Sequence, residues 1–259
     1  ELARQRYGSL PRAQLIAPAI KLAEQGFVLD EGDVLMLQEA SADLARDPAS
    51  AAIFLEGGKA LQVGAQLRQK DLAKTLRAIS KNGVAGFYQG PVAKALVAAS
   101  QAGGGILSQA DLKTYTALER EPVRCNYHGY QIIAAPPPSS GGVTVCQILT
   151  ILEGYPLATL GYHSAQAVHY QIEAMRYAYA DRNHHLGDPK FVTNPISELL
   201  DPAYAARIRQ KIEPQKAGIS AAIKPGVMLR EGSNTTHLSI ADAAGNAVAL
   251  TYTLNDWFG

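Results

Sequence analysis

The sequence predicts an α+β fold, with helices through the first two thirds of the chain and an antiparallel β-hairpin close to its end. Three observations carry this. Helix start and stop signals recur as far as Ile212, strict period-two alternation begins at His237, and a turn-forming run from Asp242 to Asn246 divides two strand-like segments. Helices followed by an antiparallel pair imply α+β, or a layered fold in which helices cover a sheet.

The helices follow in order. Pro18 to Gln25 is stopped by Gly26, and Gly32 to Arg46 stops before Pro48. Asp71 caps Leu72 to Lys81, with Leu72, Leu76 and Ile79 on one face and Asn82-Gly83 as the stop. Pro91 suits the first turn of a helix running to Ser100, and Ser108-Gln109-Ala110-Asp111 resembles a capping box. Tyr127 to Ala135 reads as a strand entering Pro136 to Gly142, after which Val143 to Leu152 is an apolar helix ended by Gly154. Ser164 caps the longest helix, Ala165 to Leu186, with Val168, Ile172, Met175 and Tyr179 along one side. Asp201-Pro202 opens Ala203 to Ile212. Glu213 to Ser233 has no periodicity and reads as a linker or mobile loop.

Composition narrows the function classes. The 259 residues are 47% apolar and carry 24 Lys plus Arg against 23 Asp plus Glu, a net charge of +1. That balance gives no reason to expect a nucleic-acid partner or an anionic membrane surface. No apolar run approaches the roughly 18 residues of a membrane helix. Cys125 and Cys146 match no metal or redox spacing and read as two buried thiols rather than a disulfide. Glu1 to Arg4 reads as the last turn of a helix and Asp256 to Gly259 follows directly on a strand, so both ends read as interior to a longer protein.

The hairpin brings chemistry together. If Asp242 faces Ala247, or if a bulge shifts the register by one, Thr253 lands opposite Thr235 or Thr236. Opposed residues share a sheet face with Cβ atoms about 5 Å apart, and Asn255 shares the face of Thr253 by the period of a strand. A threonine hydroxyl is a poor nucleophile without a base. One solution is its own α-amino group, whose ordinary pKa of about 7.7–8.0 leaves it partly neutral near physiological pH. That requires the threonine to be a chain N-terminus, and a strand start preceded by a linker is where such a cut would fall. Threonine is equally a common strand former, so pattern alone leaves both readings open. His237 by itself reads as a satisfied core or edge histidine rather than a general base.

Thr235-Thr236-His237-Leu238-Ser239-Ile240, Gly245 to Ala249, Thr251 to Asn255 and Phe258-Gly259 together resemble the γ-glutamyltranspeptidase signature. The resemblance extends to Phe87-Tyr88-Gln89-Gly90, Pro136 to Gly142, and Tyr177 to Arg182 with Leu186 to Pro189, and so covers essentially the whole chain. It implies an N-terminal-nucleophile hydrolase with a four-layer αββα fold. It further implies self-cleavage between Asn234 and Thr235, giving a large-subunit portion at 1–234 and the start of a small subunit at 235–259. Thr235 would attack the γ-glutamyl carbonyl of glutathione or glutamine, and water or an amino acid or peptide amine would release the ester. Thr253 matches the threonine supporting the nucleophile, and Asn255 a residue binding the glutamyl α-carboxylate. Glu231 matches only a cleavage-linker position and has no assigned role. The family's carboxylate-binding arginine would precede the chain. Its α-amino-binding acidic residue, Ser-Ser pair and Gly-Gly oxyanion hole would follow it. The resemblance implies no metal or organic cofactor, a large/small subunit heterodimer, and a periplasmic or extracellular location as in bacterial members.

Other residues take blander readings. Ser139 to Gly142 reads as a structural turn and helix cap before an anion cradle. His184-His185, near Asp181 and Asp188, point about 100° apart on a helix and read as no metal site. Trp257 walls a glutamyl or acceptor pocket or simply packs. Two rivals remain: a cephalosporin-type acylase on the same scaffold, and a catalytically silent homologue in which the Asn234–Thr235 bond stays intact.

Overall fold

Five helix starts, at Asp30, Asp47, Ser108, Ser164 and Asp201, are set by a side chain that accepts an orphan backbone N–H group. The computed structural model describes residues 1–223 and 235–253. It mixes helix and strand, and divides into two compact units, one comprising Glu1–Ala117 with Gly232–Gly259 and the other Leu118–Glu231.

The first unit opens with α1 (Leu2–Tyr7) and α2 (Arg12–Gln25). Helix α2 starts at Arg12 rather than at Pro18, which lies inside it. The lost backbone bond at Pro18 is outweighed by packing of α2 against a later helix, α5 (Lys70–Asn82). Strand β1 (Phe27–Val28) precedes α3 (Glu31–Leu44), whose start is a reciprocal capping box: the Asp33 N–H donates to Asp30 Oδ1 and the Asp30 N–H to Asp33 Oδ2, both at 3.0 Å. Asp47 caps α4 (Pro48–Phe54) through the Ser50 N–H at 2.8 Å. Strands β2 (Leu55–Glu56) and β3 (Lys59–Ala60) pair with each other, and β4 (Gln66–Leu67) pairs with β1. Helix α5 begins one residue before Asp71, whose carboxylate instead accepts from Lys74 Nζ at 2.7 Å. Helices α6 (Ala85–Tyr88), α7 (Gly90–Ala102) and α8 (Gln109–Thr114) follow, α8 opening on the expected Ser108/Asp111 capping box. Leu29, Val34, Leu37, Leu44, Ala60 and Leu67 form one apolar core.

The second unit opens with β5 (Val123–Tyr127) and β6 (Tyr130–Ala134), an antiparallel hairpin in register Tyr127↔Tyr130. The sequence suggested one strand from Tyr127. His128 and Gly129 adopt φ of 48° and 85°, and that two-residue turn folds the chain back on itself. Then come α9 (Gly141–Leu152), α10 (Leu157–Leu160), α11 (Ala165–His185), α12 (Ile196–Leu199) and α13 (Pro202–Arg209). Ile151, Leu152, Ala174, Ala205, Ile208 and Ile212 form the core between α9, α11 and α13. The buried side of α11 is Ala167, Glu173, Ala174, Ala178 and Asp181, whereas Ile172, Met175 and Tyr179 of the anticipated stripe are exposed. Small side chains let α9 approach closely, and that contact decides which face is covered.

A further expectation is overturned. Cys125 and Cys146 form a disulfide, with Cα atoms 5.9 Å apart, rather than two thiols. Folding β6 back on β5 presents β5 to α9, so a strand residue and a buried helix residue meet at bridging distance. Sequence spacing does not show that approach.

The second hairpin pairs β7 (Thr236–Ala241) with β8 (Ala247–Tyr252), from Thr236↔Tyr252 to Ala241↔Ala247. All of its described residues are exposed. Among the described residues no helix is long and apolar enough to cross a membrane.

Candidate active site

The β7–β8 turn is built around one carboxylate. Asp242 accepts from the backbone of Ala244 at 3.0 Å, the backbone of Asn246 at 2.9 Å and the Asn246 side chain at 2.9 Å. These bonds, the Asn246 side chain foremost, hold the Asp242 carboxyl below its usual range. Gly245 supplies a φ of +83°, as the turn chemistry predicted.

A fixed turn fixes the register, and the register sorts side chains by face. Leu238, Ile240, Val248, Leu250 and Tyr252 fall on one face with Thr236. Thr235, His237, Ser239, Thr251 and Thr253 fall on the other. Since Thr236 pairs with Tyr252, the next position outward sets Thr235 against Thr253, and their hydroxyl oxygens lie 3.0 Å apart. Of the two partners the sequence left open, Thr235 is the one met.

The next rung was not anticipated. His237 Nδ1 lies 2.9 Å from Thr251 Oγ1, and its Nε2 lies 3.2 Å from Ser239 Oγ. Ser239 and Thr251 each sit two residues from a residue already singled out, so the period of the strand could have found them. Both imidazole nitrogens are engaged by hydroxyls.

The pair can therefore pass a hydrogen bond between hydroxyls, but it has no base within its own rung. In an uncut chain the Thr235 nitrogen is an amide and cannot accept a proton. Cutting before Thr235 would convert it to an amine attached to the same Cα as the hydroxyl-bearing side chain. Asn234 and Asn255, together with Glu231 and Trp257, lie outside the described residues.

Within the second unit, Ser140 does not cap α9 with its side chain. Its hydroxyl accepts from Arg182 Nε at 2.9 Å, tying the turn to α11. A Cβ on Gly142 would come within 2.2 Å of the Ala135 carbonyl oxygen, so that glycine permits a backbone approach. Buried Asp181 accepts from Gln147 Nε2 at 2.5 Å and from the Tyr204 hydroxyl at 2.8 Å. Burial, and then Asp181 itself, push the Tyr204 hydroxyl well above its ordinary range. This network joins α9, α11 and α13.

The family profile for gamma-glutamyltranspeptidase matches residues 1–259. The glutathione hydrolase proenzyme of Pseudomonas sp. (strain A14) is 62% identical over 260 residues, covering 100% of this chain and 45% of that protein. The acylase ACY 1 proenzyme of Pseudomonas sp. (strain SE83) is 45% identical over 254 residues, covering 98% of this chain and 45% of that protein. The crystal structure of Helicobacter pylori gamma-glutamyltranspeptidase superposes with a TM-score of 0.83 at 42% identity, covering 90% of this chain and 67% of that one. The chain thus spans about half the length of these proenzymes, 45% in each case.

Proposed function

The chain belongs to the gamma-glutamyltranspeptidase family, and on that premise we propose that it is part of a γ-glutamyl transferase/hydrolase whose nucleophile is Thr235. The observation that carries this is the 3.0 Å approach of the Thr235 and Thr253 hydroxyls at the open end of the hairpin.

Activation is intramolecular. The Thr235 hydroxyl adds to the Asn234 carbonyl, the C–N bond breaks, and the acyl group shifts to oxygen. Water hydrolyses that ester and leaves Thr235 with a free α-amino group. The products are a large-subunit portion at 1–234 and a small subunit beginning at Thr235, held together as a heterodimer.

Turnover then uses the new amine as base. It takes the Thr235 proton as the hydroxyl oxygen attacks the γ-glutamyl carbonyl of glutathione or glutamine. The amide C–N bond breaks, and the departing amine leaves with the proton. Water or an amino acid or peptide amine attacks the ester and regenerates the hydroxyl. Thr253 orients the Thr235 hydroxyl through their shared hydrogen bond, and Asn255 binds the glutamyl α-carboxylate. Nucleophile, base and acceptor supply every step, so the scheme needs no metal or organic cofactor.

The hairpin contributes its strands to the central sheets of a four-layer αββα sandwich. A periplasmic or extracellular location fits the Cys125–Cys146 disulfide, since disulfides persist where the surroundings are oxidising. The 45% identity to an acylase proenzyme favours one second reading, an acylase acting on another acyl group through the same threonine. The higher identity to a glutathione hydrolase proenzyme, 62%, favours the γ-glutamyl reading.

Thr235→Ala in the full-length protein tests the proposal. Self-cleavage and γ-glutamyl-anilide turnover should both vanish. Turnover that survives the substitution would assign the nucleophile elsewhere.

A further inference from the structure

The described hairpin carries one imidazole, and the structure gives it two specific partners. His237 takes Thr251 on Nδ1 at 2.9 Å and Ser239 on Nε2 at 3.2 Å. Those contacts have different geometries. Thr251 is the cross-strand partner of His237, while Ser239 follows it by two residues on the same strand, its own partner being Ala249. Ser239 thus has no hydroxyl across the ladder and turns towards the imidazole. The rung 235·253 is the immediate neighbour of rung 237·251 on the same face, about 7 Å along the strands.

We propose that His237 is a positioning residue for Thr235: it locks the rung beside the nucleophile through Thr251, so that the Thr253 hydroxyl is presented to Thr235. The inference rests on the proposed role of Thr235. An antiparallel pair twists readily, and a small change of twist at the open end separates opposed side chains. The Nδ1 bond to Thr251 crosses the ladder and ties β8 to β7, while the Nε2 bond to Ser239 stays within β7 and only sets the orientation of the ring. Three hydroxyls and a ring then occupy set positions on a face where free β-formers would rotate independently.

This assignment differs from general-base catalysis by His237. Both ring nitrogens are engaged by neighbouring hydroxyls, Thr251 on Nδ1 and Ser239 on Nε2. The other titratable side chains on the described hairpin are Asp242, at the far turn, and Tyr252, on the opposite face. With Thr235 as the base-bearing residue, the proposal expects the acid limb of kcat to follow the Thr235 α-amino group once it is free.

The test uses full-length protein and separates the two nitrogens. His237→Asn keeps a polar atom near the Nδ1 position, and His237→Gln keeps one near the Nε2 position. The proposal expects His237→Gln and Thr251→Val each to slow self-cleavage and lower kcat by about tenfold with KM little changed, the scale of one lost hydrogen bond. His237→Asn should recover most of both rates. The acid limb of kcat should keep its midpoint in every variant that turns over. Thr251→Val preserves shape and strand preference, which guards against a simple folding defect in the histidine variants. Wild-type rates in His237→Gln and Thr251→Val would overturn the proposal. Loss of the acid limb in His237→Asn would also overturn it, by making the imidazole the base. If wild-type protein itself failed to cut before Thr235, the nucleophile reading would fall instead.

Discussion

Two hydroxyls 3.0 Å apart do not make a nucleophile, because neither oxygen is basic enough to deprotonate the other. What their approach supplies is direction: one can hold the other's proton while a stronger base acts. Thr253→Val should therefore slow both self-cleavage and turnover by about tenfold, as expected for one lost hydrogen bond, rather than abolish them; cleavage half-times and kcat measured together check this. A second residue-scale prediction concerns Tyr204. Its hydroxyl is kept protonated above its ordinary range by burial and by donation to Asp181. A raised folded-state value gives stability that is complete below about pH 10 and is lost as pH rises through the folded range. Tyr204→Phe should flatten the alkaline fall in Tm, and at neutral pH should cost about 1–2 kcal/mol by leaving Asp181 one donor short. The Thr235–Thr253 pairing was legible in the sequence because period two and a recognisable turn suffice to set a hairpin register. The Gln147–Asp181–Tyr204 network was not, because its members come from three helices whose faces are chosen by packing.

Among the elements, the β7–β8 turn is where sequence and geometry agree most closely. Gly245 sits at a φ of +83°, which a side chain tolerates poorly. Gly245→Ala should destabilise the turn by about 1 kcal/mol and slow self-cleavage in proportion, since register is transmitted from the turn to Thr235. Asp242 is held below its usual range, so its support is present above the ordinary carboxylate pKa and is lost as pH falls through the folded value. The β5–β6 hairpin was missed because its turn, His128-Gly129, carries only one residue of the usual turn type. That missed turn also hid the disulfide. The two cysteines are 21 residues apart in sequence, and closing a loop of that size is worth about 3 kcal/mol in the chain-entropy account. Cys125→Ser with Cys146→Ser should lower Tm accordingly, measured in oxidised protein, and added reductant should then change the variant's Tm little. The helix α11 face shows a different failure of sequence reasoning: a stripe of large apolar residues was outcompeted by alanines that let α9 come close.

At the scale of the molecule, the mixed helix-and-strand character was legible because capping signals and strand alternation are local. The division into Glu1–Ala117 with Gly232–Gly259, and Leu118–Glu231, was not, because it depends on contacts far apart in sequence. The proposed cut between Asn234 and Thr235 falls three residues beyond the Glu231/Gly232 division between the units. The sharpest test of Thr235 as nucleophile is the N-terminal mass of the smaller fragment formed by full-length protein. A fragment whose first residue is Thr235 should appear without added protease. A chain that stays whole, or a fragment that begins at any other residue, would contradict that role.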